Sequence, residues 1–146
     1  MNKKILITII ILSILLIGGY FMKNFLTNLF KQNYVVFPAN YDISFLFGNN
    51  KRYTPTNTDI QKAIELLESF LKSKKEIQAL LNYKVQFFGY LNEKEEKIIW
   101  ANFFCSDYKN WKKDLVSVED GGNCYFNIKI NLNTQKVFDF NINGET

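Results

Sequence analysis

The chain contains no histidine in its 146 residues. That absence removes the commonest general base and the commonest metal ligand together. Cysteine is nearly absent too. With two cysteines in all, a structural zinc site lacks its other ligands, and a cysteine nucleophile lacks the imidazole that would activate it. No phosphate-cradling glycine loop, calcium-loop spacing or catalytic signature occurs. Excess charge of one sign is also missing: with Lys3 and Lys4 set aside, 16 basic residues face 14 acidic ones. A nucleic-acid partner needs a concentrated basic surface, which this balance does not supply. The sequence therefore predicts no catalytic residue, no metal ligand, no cofactor and no nucleic-acid partner.

What is present is apolar and aromatic. Hydrophobic residues make up 47% and aromatics 16% of the chain, ample for a packed core and far from disorder. Phe at 14 and Tyr at 8 lean towards sheet, where such side chains pack well on a pleated surface.

The longest hydrophobic run comes first. Lys3 and Lys4 precede residues 5–17, which are apolar except for Thr8 and Ser13, and the run continues to Met22. As a helix rising ~1.5 Å per residue it would span about 27 Å, close to the roughly 30 Å of a bilayer core. Ile5, Ile9, Leu12, Leu16 and Tyr20 are the expected anchor residues, and membrane lipid is the expected partner of this segment. A cleaved signal peptide is the competing reading, but Leu16 and Ile17 stand where its cleavage motif needs small residues. The basic start places the N-terminus in the cytoplasm and the rest of the chain outside; export after signal cleavage is the alternative. Residues 23–33 follow as a juxtamembrane segment, in which Phe25, Leu26, Leu29 and Phe30 share one helical face suited to the lipid interface or to the domain.

Residues 34–146 read as one α+β domain. Residues 34–37 are extended and stopped by Pro38; Ile43, Phe45 and Phe47 then alternate as in a strand before a turn at Gly48, Asn49 and Asn50. Ile60, Ala63, Ile64, Leu67, Phe70 and Leu71 recur at helical spacing. Thr58 with Gln61 forms a candidate capping box, and Ser73 with Glu76 a second one, predicting a break and two further turns through Leu80 and Leu81. After Asn82 the period becomes two. Strands are predicted at 83–91, 96–105, 124–132 and 137–142, with a short candidate at 115–118. Residues 98–104 are apolar on both faces save Asn102, which marks a central strand covered twice. The fold class is α+β: an N-terminal membrane helix, then one helix packed on a four- to five-stranded antiparallel meander, the plan of cystatin-like and NTF2-like cones.

The stretches Gly89-Tyr90-Leu91-Asn92-Glu93, Ile98-Ile99-Trp100-Ala101-Asn102-Phe103 and Asp120-Gly121-Gly122-Asn123-Cys124-Tyr125-Phe126, with the ending Asn143-Gly144-Glu145, resemble a group of small uncharacterised bacterial exported proteins. The closing hairpin, 128–142, is similar in style to the final hairpin of PepSY and cystatin-like domains. Neither resemblance supplies a functional residue.

Cys105 and Cys124 form a disulfide candidate, the default for a pair in an extracytoplasmic domain; free buried thiols are the alternative. Asp107, Asp114, Glu119 and Asp120 gather in the loop region with turn-forming, solvated roles. Trp111, near Lys109, Lys112 and Lys113, is expected to anchor a loop, and Trp100 to lie in the core. The functional expectation is a membrane-tethered extracytoplasmic binding or interaction module, non-enzymatic, with a protein partner. A small-ligand carrier or enzyme using the concave sheet face and an inhibitor or immunity-type protein are the alternatives.

Overall fold

A computed structural model of the chain describes residues 33–77 and 80–144, together with Ser13 and residues 17–19. The chain divides into two compact units, Met1–Asn33 and Tyr34–Thr146. In the first, Ser13 and residues 17–19 are helical. The expected anchor residues Ile5, Ile9, Leu12, Leu16 and Tyr20 lie outside the described residues, as does most of the juxtamembrane segment. Among the described residues no helix is long and apolar enough to cross a membrane, so the membrane helix of the expected fold class is not part of the observed architecture.

The second unit runs β1 (Tyr34–Val36), α1 (Ser44–Phe47), β2 (Arg52–Tyr53), α2 (Asn57–Leu71), β3 (Lys84–Leu91), β4 (Lys97–Phe104), β5 (Tyr125–Asn131) and β6 (Lys136–Ile142). All six strands belong to one sheet in the order β1-β3-β4-β5-β6, with β2 sharing the outer edge of β3 with β1. From β3 to β6 the sheet is an antiparallel meander, as the two-residue alternation predicts. The expectation of a wholly antiparallel sheet of four or five strands is overturned at its edge. There β1 pairs parallel with β3, Tyr34 opposite Val85 and Val36 opposite Phe87. The intervening chain explains this: it carries both helices, and a crossover of that kind brings a strand back in the same direction rather than in a hairpin. A mixed six-stranded sheet thus replaces the expected plan of one helix on a four- to five-stranded antiparallel meander.

Smaller corrections follow from local chemistry. The segment with Ile43, Phe45 and Phe47 is not a strand. Asp42 accepts a bond from the Ser44 N–H (3.1 Å) and α1 follows, so Ile43 and Phe47 turn inward while Phe45 is 74% exposed. The cap of α2 is Thr56, not Thr58. Its Oγ accepts from the Asp59 N–H (3.2 Å), and the Asp59 carboxylate accepts from the Thr56 N–H (3.0 Å). A carboxylate at this position also meets the positive end of the helix dipole, which an amide cannot. Ser73 does not start a second helix: its hydroxyl bonds back to the Phe70 carbonyl at 2.7 Å and closes the end of α2. Between it and β3 the only helical piece among the described residues is a 3-10 turn at Leu80–Asn82.

The sheet divides the core in two. On one face lies α2, burying Ile60, Ala63, Ile64, Leu67 and Leu71. A chain of rings links helix to sheet: Phe70 to Phe140 (5.7 Å), Phe140 to Phe126 (5.6 Å) and Phe126 stacked on Phe103 (4.3 Å). Lys97 at the start of β4 holds Asp59 at 3.1 Å and fixes the start of the helix over the sheet. The opposite face carries Phe88, Tyr90, Ile98 and Trp100, covered by Phe37, Ile43 and Phe47 from the chain around α1. β4 is thus buried on both sides, as its composition predicts. Gly89 lets β2 close on this sheet: a Cβ there would lie 2.7 Å from the Tyr53 carbonyl oxygen and 2.9 Å from the Pro55 ring.

Candidate functional site

The second sheet face is covered unevenly, and the cover follows from two amides, Gln86 fully buried and Asn102 half-buried. Gln86 on β3 and Asn102 on β4 are cross-strand neighbours, and the Asn102 amide donates to Gln86 Oε1 at 3.1 Å. A buried amide needs further partners, and the loop between β4 and β5 supplies them. Gln86 donates to the Trp111 and Asp114 carbonyls (2.6 and 2.8 Å) and accepts from the Val116 N–H (2.9 Å); Asn102 donates to the Val116 carbonyl (2.8 Å). The Leu115 N–H donates to Tyr41 Oη at 2.9 Å, which ties this loop to the chain around α1. Trp111 meets Phe104 edge-on, with ring centroids 5.7 Å apart, and so anchors the loop as expected. Residues 115–118 join no ladder; side-chain amides hold them instead.

The loop is closed at its base by the cysteines. Cys105 and Cys124 are joined, with Cα atoms 5.1 Å apart, and the Cys105 N–H donates to the Cys124 carbonyl at 3.1 Å. Beside them, Tyr125 donates to Ser106 Oγ (2.9 Å) and bonds the Tyr108 hydroxyl (3.0 Å). That bond, with partial burial, raises the Tyr108 pKa above its ordinary value. Gly121 has φ 97°, and a Cβ there would lie 2.5 Å from the Tyr125 ring, so the glycine leaves room for this cluster.

Between the loop and α1 a groove of about 140 Å³ remains open on the sheet. Trp100, Asn102, Tyr125 and Asn127 form its floor; residues 115–118 make one wall, and Phe45 and Leu46 of α1 another. Phe45 and Leu46 are 74% and 41% exposed, large apolar surfaces that folding leaves in water. Asn127 lies on the polar face of β5, and its side-chain amide has no hydrogen-bond partner among the described residues. Ser117 likewise makes no hydrogen bond there, with main chain or side chain. No carboxylate or ammonium group lines the groove. Apolar walls with a few unsatisfied amide groups suit recognition of a neutral ligand. They do not provide the matched acid and base that proton-transfer chemistry needs.

Asp107, Trp111, Asp114, Glu119 and Asp120, also singled out in the sequence, do not line the groove. Asp107 pairs with Lys84, and no group of three or more Cys, Asp or Glu among the described residues could hold a metal ion. Trp100 is 8% exposed, a core residue whose edge reaches the groove floor. Sequence reasoning missed Phe45, Asn127 and Ser117. Asn127 was visible only as one of several polar residues on an alternating strand, and nothing marks Ser117. Phe45 carried a signal in its position, two residues from both Ile43 and Phe47, once helical spacing replaces strand spacing. No family model, curated protein or solved structure in the comparisons made with this chain matches it.

Proposed function

We propose that the domain is a non-enzymatic interaction module that takes an extended segment of a partner protein into the groove between α1 and residues 115–118. The observation that carries this reading is the juxtaposition, in one uncharged groove, of exposed Phe45 and Leu46 with the free polar groups of Asn127 and Ser117. An extended peptide offers what these groups lack: main-chain donors and acceptors for Ser117 and Asn127, and side chains to cover the apolar wall. The hydrophobic run from Ile5 to Met22 and its basic start support export of the domain and its retention at the outer face of a membrane.

Affinity recovery from detergent-solubilised membranes tests the reading. The wild-type protein retains a discrete partner, Phe45→Asp loses it, and Glu68→Ala on the outer side of α2 keeps it. Equal recovery by Phe45→Asp and wild type, with both folded, contradicts the proposal.

A further inference from the structure

On the other side of α1 lies a second cleft, of about 280 Å³, lined by Tyr41, Asp42, Ser44, Phe47, Gly48 and Arg52 among others. Arg52 is the chain's only arginine. Its guanidinium carbon sits 5.3 Å from the Phe47 ring centroid and 5.8 Å from that of Phe88. Nε donates to the Gly89 carbonyl at 2.8 Å, and Nη1 reaches the Tyr41 carbonyl at 3.4 Å. Nη2 is withdrawn from solvent and has no partner. No carboxylate among the described residues forms an ion pair with this guanidinium. Asp42 lines the same cleft, but its Oδ1 accepts from both the N–H and the hydroxyl of Ser44 (3.1 and 3.0 Å).

A guanidinium is a planar fork whose donors match a carboxylate edge. Here two donors are spent on main-chain carbonyls, and Nη2 is left unpartnered and closed off from water beside the Phe47 and Phe88 rings, so a carboxylate reaches it by displacing part of that cover. We propose that this cleft is a binding site for a small monocarboxylate, held through the free edge of the Arg52 guanidinium with its apolar part against Tyr41 and Phe47. One positive charge facing one negative charge at Asp42 selects a monoanion over a dianion such as hydrogen phosphate. The site is independent of the groove reading, since it uses the opposite side of α1.

Amide chemical-shift titration of the domain tests it, with benzoate as probe, benzyl alcohol as its neutral counterpart, and chloride at matched ionic strength. Saturable shifts at Gly48, Phe47 and Arg52 are expected with benzoate and absent with the alcohol and with chloride. Arg52→Met abolishes them. Because that variant also loses two main-chain bonds, Asp42→Asn gives a second reading: removing the like charge tightens benzoate several-fold and admits phosphate. Equal shifts with chloride, persistence in a folded Arg52→Met protein, or unchanged benzoate affinity in Asp42→Asn overturns the proposal.

Discussion

Individual residues in this protein act through very different physics, and two of them make the contrast measurable. Gly89 matters for what it lacks: any Cβ would press on the Tyr53 carbonyl and the Pro55 ring. Gly89→Ala should therefore push β2 off the sheet and destabilise the domain by about 1–3 kcal/mol, as overpacking does, read from the midpoint of urea unfolding. Asp59 matters for its bonds. Burial raises its carboxyl, but the Thr56 N–H and hydroxyl and the Lys97 ammonium outweigh that and hold it below the ordinary carboxylate range. A carboxyl that titrates lower when folded adds stability above its unfolded pKa of about 3.9. That contribution is lost as pH falls through the folded value. The stability gap between wild type and Asp59→Asn should thus be constant near neutrality and shrink below about pH 4. A gap independent of pH would assign the loss to packing. Neither effect was legible in the sequence: Gly89 stood in an ordinary alternating strand, and Thr56–Asp59 was hidden by the equally plausible pair Thr58–Gln61.

At the scale of elements, periodicity was a good guide wherever an element is long enough to repeat. The stripe on α2 and the alternation in β3, β4 and β5 are visible in the residues, and the structure buries most of the positions they mark. In β6 a register shift opposite Asn127–Lys129 and Asp139 at φ 52° break the alternation, and Phe138 and Ile142, expected inward, stay exposed. Leu67 is fully buried, while Glu68 beside it faces water. Leu67→Ala should cost about 2–5 kcal/mol, as for other truncated core leucines, and Glu68→Ala should stay within about 0.5 kcal/mol; equal losses would mean the helix packs by another face. Short elements gave no such signal. Strands of three and two residues, as β1 and β2 are, cannot show a period, so the parallel edge was illegible. In α1, three apolar residues at every second position fit a strand as well as a helix, and burial alone decides between them. The groove was illegible for a related reason: its wall at 115–118 is held by Gln86 and Asn102 across long sequence separations, not by any pattern of its own.

For the molecule as a whole, the sheet serves as a partition. One face is spent on α2 and the main core; the other is half covered, by the chain around α1 and by the loop closed at Cys105 and Cys124. With a sequence separation of 19 between the cysteines, the chain-entropy model gives about 3 kcal/mol for that bridge. Bridges of this kind form and persist in oxidising compartments, in keeping with the export proposed above. Protein recovered from its own cells without reductant should resist thiol labelling at both cysteines and weigh about two hydrogens less than the reduced form; full labelling would remove the support for export.

The central claim is that the uncovered half of that face, between α1 and residues 115–118, is where a partner sits. Site-specific photocross-linking in the producing cells measures this directly, with the photoreactive residue placed in turn at Phe45, Asn127, Lys62 and Glu68. The account predicts one adduct of the same mass from positions 45 and 127, joined to an extended segment of a single protein, and none from positions 62 and 68 on α2. Adducts formed equally at all four positions, or only from the α2 positions, would contradict it.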